Sequence, residues 1–275
     1  MPSDLIPVAL RELDAKGLLK QVYGDLAKPG VTQVGLALST VLGLGSTILW
    51  PIQLLNERTK LFLEANLERY REKLAGVSPE QIVPVPTEIG VPLAEKLSYV
   101  TDKDLCELYT TLLAKASKKE TQGQVHPSFV NILNNISPDE ALLIKDLAES
   151  SLQPFITVRL TNPNDGLWIE LADIFFEPKS NDKLSFPNNI AAYIHNIKGL
   201  GLFEIARDNF AAPYTRYDPI ELAARERFTG VKLLDGFTML TFLRGKIEVT
   251  RLGWLFISAC LEGVSQLPPI LRGGH

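Results

Sequence analysis

Residues 30–55 have the sequence GVTQVGLALSTVLGLGSTILWPIQLL, which contains no charged side chain. About 20 apolar residues are enough for a helix to cross the hydrocarbon core of a bilayer, so this run is long enough to do so. Glycines and hydroxyl side chains dilute its hydropathy, and an uncharged helix can equally be the central, buried helix of a bundle. The run therefore predicts one long uncharged helix, either inserted in a membrane or buried in protein.

Small side chains and flanking charges bear on what this helix would contact. Glycine or serine recurs every three or four positions at Gly35, Ser39, Gly43 and Ser46, a spacing that lets a second helix approach closely. Three basic residues precede the segment nearby and five follow it, which favours a cytoplasmic C-terminal side if it spans a membrane. The side chains expected to contact lipid or a partner helix are Leu36, Leu38, Val41, Leu42, Leu44, Ile48, Leu49 and Trp50.

Composition bounds the class of protein. The chain has 275 residues, 45% of them hydrophobic and 22% charged, which suits one large globular domain or two modest ones. With a formal net charge of -4, the chain lacks the basic excess that drives unselective binding to nucleic acid or anionic lipid.

The two cysteines, Cys106 and Cys260, match no C-x-x-C spacing and are expected to be buried free thiols. The residues after Met1 do not have the layout of a signal peptide. We expect a cytoplasmic protein, with the apolar segment able to bind the cytoplasmic face of the inner membrane.

The N-terminal half contains several predicted helices. The charged stretch 57–74 carries one apolar stripe, which is typical of a surface helix. A second helix is expected to begin at the sequence His126-Pro127-Ser128-Phe129. A third begins at Ser137-Pro138-Asp139-Glu140, where an N-cap serine, a proline and an acidic third position follow one another, and it extends to about residue 150.

The C-terminal half mixes strands and helices. Residues 155–160 form a β-branched run that predicts a strand, and 187–198 predict a helix. Strand material at 246–250 and an apolar helix at 252–261 follow. We interpret this order as helix, helix, β ribbon, helix, which indicates a winged-helix unit. The predicted fold is mainly α, with a helical region at 1–135 that includes the apolar segment 30–55 and a winged-helix-like α/β domain at 136–275.

DNA binding is the usual activity of a winged helix, whose recognition helix presents basic and amide side chains to the duplex. The candidate helix 187–198 carries one lysine, Lys198, and residues 187–275 hold ten basic against eight acidic residues. This balance of +2 is poor for several phosphate contacts. A winged-helix DNA-binding regulator therefore stays an alternative, while the charge argues against nucleic acid as a partner.

No catalytic, cofactor-binding or metal-binding residues emerge from motif spacing. The glycines of residues 42–47 follow no predicted strand and precede no Gly-Lys-Ser/Thr, so they do not match a phosphate-binding loop. Neither cysteine pairs with a histidine at zinc-ligand spacing. His126 offers the one enzymatic hypothesis, although no acid or nucleophile has a recognisable spacing to it. We expect no cofactor.

Three short motifs resemble a known family when taken in order: SYVTDKDLCELYTTLLA at 98–114, VHPSFV at 125–130 and ISPDEA at 136–141. This order is similar to that of the bacterial abortive infection alpha (Abi-alpha) family, and the apolar run ending in WPI at 50–52 looks like that family's. GLGL at 199–202 with VTRLG at 249–253 resembles its C-terminal half. The motif residues expected to be structural are His126, Pro127, Phe129, Ser137, Pro138 and Glu140.

The resemblance implies a role in defence against phage, in which the infected cell stops growing or dies before virions mature. It implies no reaction and no active-site residues. The leading hypothesis is a non-enzymatic protein that acts through its apolar helix, either at the inner membrane or with a like subunit or another protein of a defence system. No small-molecule substrate is indicated.

Overall fold

The computed structural model describes residues 31–38, 57–150, 152–207 and 213–263. The chain divides into two compact units, which we treat separately. The first contains the described residues up to Asn135 together with residues 258–263, and the second contains Ile136–Ile257.

Helices make up the first unit. They are α1 (Val31–Ala37), α2 (Glu57–Leu74), α3 (Thr87–Leu97), α4 (Lys103–Ala116) and α5 (Ser128–Asn134), with short 3-10 turns at Pro79–Gln81 and Gln122–Gln124. Helix α4 is the centre of this unit, because ten of its fourteen residues are buried and α2, α3 and α5 all contact it. Asp102 begins α4 by accepting a hydrogen bond from the Leu105 amide at 2.9 Å, the usual function of an N-cap aspartate.

Buried polar side chains join the helices of the first unit. The Asn66 amide on α2 donates to the carbonyl oxygens of Leu97 and Val100 at 2.8 and 3.1 Å, which satisfies backbone groups left over where α3 ends. The hydroxyls of Tyr70 and Ser117 lie 2.5 Å apart and connect α2 to the end of α4. These hydrogen bonds hold α2 against the end of α3 and against the end of α4.

The prediction of one long uncharged helix over residues 30–55 is wrong. Within that segment the structure describes residues 31–38, and helix α1 ends at Ala37. The Ala37 carbonyl oxygen, which a continuing helix would use internally, accepts a hydrogen bond from the Val85 amide at 2.8 Å.

Of the side chains predicted to contact lipid or a partner helix, Leu38 is buried and Leu36 is 42% exposed. The other side chains predicted for this surface lie outside the described residues, namely Val41, Leu42, Leu44, Ile48, Leu49 and Trp50. In the part of the chain that the structure describes, no helix has both the length and the apolar character that crossing a membrane requires.

Strands and helices alternate in the second unit. Its elements are α6 (Pro138–Ser150), β1 (Leu152–Thr161), β2 (Trp168–Phe175), α7 (Ile190–Gly199), β3 (Phe203–Arg207), α8 (Asp218–Phe228), β4 (Met239–Val249) and α9 (Arg251–Cys260), with 3-10 turns at Asn181–Lys183, Pro187–Asn189 and Tyr214–Arg216. The last three residues of α9 belong to the first unit.

The four strands of the described residues form one antiparallel sheet in the order β2-β1-β4-β3. Helix α7 contacts both β2 and β3, although these strands lie at opposite edges of the sheet. The sheet must therefore curl to bring its two edges towards the same helix. Helix α8 contacts β1, β2 and β4.

The prediction of a winged-helix-like unit is also wrong. A long β1–β2 hairpin precedes α7, and a helix separates β3 from β4, so the described elements do not follow the order helix, helix, β ribbon, helix. The sequence pattern did not predict β2 or the full length of β4. Both strands carry charged residues that interrupt the simple alternation of apolar and polar side chains.

Two glycines, Gly201 and Gly253, let the start of α9 lie close to the turn that follows α7. The Thr250 hydroxyl donates to the Gly201 carbonyl oxygen at 2.6 Å and accepts from the Gly253 amide at 2.9 Å, which caps α9. Gly201 has a φ of +80°, a conformation that favours glycine. A Cβ atom at Gly253 would overlap the Leu202 carbonyl oxygen. The GLGL and VTRLG motifs therefore fix the start of α9 against the turn that follows α7.

Candidate functional site

The ISPDEA motif begins helix α6 with reciprocal hydrogen bonds. The Glu140 carboxylate accepts from the Ser137 amide at 2.6 Å, and the Ser137 hydroxyl accepts from the Glu140 amide at 3.3 Å. This pair is a capping box, in which two amides without helical partners are satisfied at once. Ser137 and Glu140 thus cap the start of helix α6, and Pro138 is its first residue.

Asp139, the central acid of the same motif, is 3% exposed and binds a distant segment. Its carboxylate accepts hydrogen bonds from the Ser185 amide at 2.8 Å, the Phe186 amide at 2.9 Å and the Tyr193 hydroxyl at 3.0 Å. Burial raises the pKa of the carboxyl group, but the hydrogen bonds outweigh burial and hold the pKa below its ordinary value. Asp139 is therefore ionised and fixes the turn that leads into α7.

Glu140 adds a second contact with α7. Its other carboxylate oxygen accepts a hydrogen bond from the Asn196 amide at 2.7 Å, and Glu140 is 4% exposed. Two neighbouring acids of one motif thus hold the first and the last turns of α7. Their carboxylates are occupied by donors of the fold.

His126 and Phe129 belong to the start of helix α5 in the first unit. The His126 Nδ1 atom accepts a hydrogen bond from the Ser128 amide at 3.1 Å and lies 2.7 Å from the Ser128 hydroxyl. Phe129 is buried, and Pro127 lies between the two at the helix N-cap position. His126 is exposed and serves as a cap of α5.

An ionic cluster joins the two edges of the curled sheet. Asp173 on β2 binds His195 on α7, with Nε2 to Oδ2 at 2.6 Å, and Arg207 on β3, with Nη2 to Oδ1 at 2.5 Å. Arg207 also donates to the Thr157 hydroxyl on β1 at 3.0 Å. Because Asp173 and Arg207 come from opposite edges, their ion pair helps to keep the sheet curled.

A β-bulge directs Asp173 into this cluster. Between the pairs Ile156–Phe175 and Val158–Ala172, Asp173 and Ile174 lie opposite the single residue Thr157. The Thr157 hydroxyl donates to the Asp173 carbonyl oxygen at 2.7 Å, which satisfies a group that the bulge removes from the regular ladder.

The hydrogen-bond donors of this cluster lower the pKa of Asp173. Burial raises the pKa of Asp173, but hydrogen bonds from His195 and Arg207 outweigh burial and hold the pKa below its ordinary value. Both oxygens of the carboxylate are already bound to these donors. Asp173 therefore stays ionised, and its main contribution is to hold β2, β3 and α7 together.

A cleft of about 450 Å³ includes Asp173 in its lining and lies against the C-terminal half of β2. Seven consecutive residues, Leu171–Glu177, form one wall, the first turn of α7 forms another, and Arg227 and Phe228 at the end of α8 form a third. Its lining is mixed, with apolar Ile174 and Phe175 beside polar Asn188.

Arg227 bridges two walls of the cleft. Its guanidinium donates to the Asn188 side-chain oxygen at 2.8 Å and lies 5.9 and 5.8 Å from the ring centres of Phe175 and Phe228. Those two rings meet edge to face at 5.6 Å. Since β2 is one of the two edge strands, its second edge has no strand partner among the described residues. The cleft is therefore lined in part by an edge strand.

Sequence reasoning found the motif residues but not the cluster or the cleft. His126 and Phe129 lie in the first unit, whereas Ser137, Pro138 and Glu140 lie in the second. An acid between Ala172 and Ile174 in a strand was a usable signal for Asp173. Its partners are distant in sequence, so only the curl of the sheet identifies them. Among the described residues, no group of three or more acidic, histidine or cysteine side chains could hold a metal ion.

Comparison with known proteins places this architecture in a family. The family model of abortive infection alpha matches residues 61–260. The chain belongs to the abortive infection alpha family. The match covers the His126 motif, the ISPDEA motif, the ionic cluster and the cleft, so all these features lie within the family region.

One solved structure is also similar to this abortive infection alpha protein. It is described as the structure of the uncharacterized protein from the hydrocarbon-degrading marine bacterium Alcanivorax borkumensis SK2. The two chains are 17% identical, the match covers 50% of this chain and 94% of that one, and the TM-score is 0.30. No curated protein matches the chain.

Proposed function

We propose that this protein acts in abortive-infection defence by binding another protein, without catalysing a reaction, and that the cleft beside β2 receives an extended segment of that partner. The family name supports the defence role. The observation that carries the binding mode is the cleft itself, because five consecutive residues of the edge strand β2, Leu171–Phe175, line it together with the two residues that follow.

The cleft suits a polypeptide in an extended conformation. An exposed sheet edge offers backbone donors and acceptors at strand spacing, and a peptide can add to it as a further strand. Natural sheet edges are usually covered or shielded by charge, so an edge that lines an open cleft calls for a partner. A cleft of about 450 Å³ also falls within the range of roughly 300–1,000 Å³ that is usual for ligand sites.

The polar groups that resemble catalytic residues have other uses in this fold. His126 caps α5, and Asp139 and Glu140 hold α7. Asp173 is bound at both oxygens by His195 and Arg207. These engagements support a binding protein whose acids maintain the shape of the cleft and its surroundings.

A matched pair of variants on α7 tests the proposal. Ala191 lines the cleft, whereas its neighbour Ala192 is exposed and does not. Ala191→Phe should fill the cleft and abolish protection in a phage challenge of bacteria that carry the protein, while Ala192→Phe should leave phage yield as low as with the wild type. Thermal unfolding of both purified variants checks that the chain still folds.

A direct binding measurement separates the cleft from the defence role. Short peptides selected from a random display library against the wild-type protein should lose binding to the Ala191→Phe variant and keep it with Ala192→Phe. Peptides should also slow hydrogen exchange of the outward-facing β2 amides. Full protection by a folded Ala191→Phe variant would overturn the proposed use of the cleft.

A further inference from the structure

A second cleft, of about 340 Å³, lies in the first unit and is independent of the function proposed above. It is bounded by the C-terminal half of α4, by the turn over residues 118–124 and by residues 258–263. Its polar lining combines two lysines and two glutamates with hydroxyl and amide side chains.

Thr111 carries an unpaired hydroxyl at this cleft. The residue is 2% exposed, and its Oγ1 atom is buried without a hydrogen-bond partner among the described residues. In helices, a threonine hydroxyl often donates to the carbonyl oxygen four residues earlier. The neighbouring Thr110 does so, donating to the Cys106 carbonyl oxygen at 2.7 Å. A buried hydroxyl without a partner is destabilising, so its position beside a cleft points to a ligand that supplies the missing hydrogen bond.

Two ammonium groups accompany this hydroxyl. Lys115 donates to the Ser258 and Leu261 carbonyl oxygens, the latter at 3.2 Å. Within the described residues, neither Lys115 nor Lys118 forms an ion pair with a carboxylate. Burial lowers the pKa of both lysines and outweighs the opposing effect of nearby acids such as Glu262, so their charged forms are only partly compensated.

The acids of the same cleft do not neutralise these lysines fully. Glu262 lines the cleft, but its carboxylate is bound by Lys73 at 2.8 Å, and Lys73 also binds Glu107 at 2.5 Å. Glu120 is exposed to solvent. A negatively charged ligand would therefore improve the electrostatics of Lys115 and Lys118 without displacing an existing ion pair.

We propose that this cleft binds the phosphate group of a small phosphorylated molecule, with Lys115, Lys118 and the Thr111 hydroxyl as its donors. A phosphate dianion matches two ammonium charges, and its several oxygens can accept from both lysines and the hydroxyl together. Lysine is a common ligand of phosphate as a compact point charge. A cleft of about 340 Å³ leaves room for more of the molecule beside the phosphate.

Calorimetric titration of the full chain in a phosphate-free buffer tests this site, with inorganic phosphate, ribose 5-phosphate and adenosine monophosphate as probes. Lys118→Gln should weaken phosphate binding about tenfold or more, the loss expected for one charge-assisted hydrogen bond. The matched control is Lys119→Gln, because Lys119 is the exposed neighbour that does not line the cleft. That variant should bind like the wild type.

Thr111→Val supplies a second variant with an opposite effect on stability. It should weaken binding, yet raise the thermal midpoint of the ligand-free protein, because it removes a buried unpaired hydroxyl. A residue with a structural role alone would not give this combination. If Lys118→Gln fails to fold, Thr111→Val decides the question.

The probes distinguish the source of the phosphate. Tighter binding of ribose 5-phosphate or adenosine monophosphate than of inorganic phosphate supports the proposal and identifies the rest of the ligand, while equal binding supports a site for phosphate alone. Absence of saturable binding to the wild type, unchanged affinity in Lys118→Gln, or acetate binding as tight as phosphate would overturn the assignment. These results do not depend on phage protection, so they are separable from a failure of the peptide cleft.

Discussion

Asp139 accepts a hydrogen bond from the Tyr193 hydroxyl at 3.0 Å, across 54 positions of sequence. The same carboxylate binds two backbone amides just before α7, so one buried acid holds a turn and a helix. Replacing it by asparagine presents an amide group to donors that need an acceptor. We expect Asp139→Asn to lower the free energy of unfolding by about 2–4 kcal/mol, since hydrogen bonds to a charged group are worth roughly 1.5–3 kcal/mol each.

Chemical denaturation monitored by circular dichroism measures that loss. The control is Asp182→Asn, because Asp182 is exposed, and a surface change of this kind should stay within about 0.5 kcal/mol. A loss in Asp139→Asn no larger than in the control would contradict the role assigned to the buried carboxylate.

Acid should weaken the wild type through the same residue. The pKa of Asp139 is lower in the folded protein than its ordinary value of 3.8, so its contribution to stability is complete above that value. The contribution is lost as the pH falls from 3.8 through the folded pKa, because the group then protonates and no longer accepts all its hydrogen bonds. The difference in unfolding free energy between wild type and Asp139→Asn should therefore shrink below pH 3.8 and stay constant from there to neutral pH. A difference that grows in acid would refute the sign of this shift.

Local signals predicted several elements correctly. The charged helix over 57–74 and the helix that begins at Pro138 are confirmed, because capping chemistry and an apolar stripe act over neighbouring residues. The strand predicted at 155–160 is confirmed within β1. Apolar β-branched residues identified it because β1 is buried on both faces in its centre.

Long-range features were beyond the sequence. Charge-free composition at 30–55 does not reveal that the Ala37 carbonyl oxygen pairs with the Val85 amide and that α1 ends there. Similarly, Asp173 and Arg207 are neighbours only because a bulge and a curled sheet bring two edge strands together. The cleft follows from the same curl, so neither spacing nor periodicity could predict it.

Gly253 gives the sharpest prediction about packing. A Cβ atom there would overlap the Leu202 carbonyl oxygen, and a backbone group cannot rotate away. We expect Gly253→Ala to lower the free energy of unfolding by more than about 2 kcal/mol, at the severe end of overpacking effects. The control is Gly199→Ala at the end of α7, where an added Cβ meets none of the described atoms within 4 Å and φ is ordinary. That variant should be neutral or stabilised by about 0.5–1 kcal/mol, because alanine favours the helix. Urea denaturation of both variants provides the comparison. Equal stability of the two would contradict a close approach between Gly253 and the Leu202 carbonyl oxygen.

Arg207 should control the titration of Asp173. Arg207→Met removes the cation from the cluster while preserving most of the side-chain length, so the pKa of Asp173 should move up towards its ordinary value of 3.8. Carbon-13 NMR of the aspartate carboxyl groups can follow this shift directly. Because Arg207 is 44% exposed, the accompanying loss of stability should be modest, about 1 kcal/mol or less. An unchanged Asp173 titration curve in the variant would mean that the ion pair does not form in solution.

His126 distinguishes a capping role from the enzymatic hypothesis raised by its position in the sequence. Its Nδ1 atom accepts from the Ser128 amide at 3.1 Å, so His126→Ala leaves one amide at the start of α5 without its cap. We expect a loss of about 0.5–1 kcal/mol in unfolding free energy, within the range for removal of a cap, and unchanged protection against phage. Asparagine can accept the same hydrogen bond, so His126→Asn should restore most of the stability. If His126→Ala instead kept full stability and lost all protection, and asparagine failed to restore it, the imidazole would have a chemical function and the capping interpretation would be insufficient.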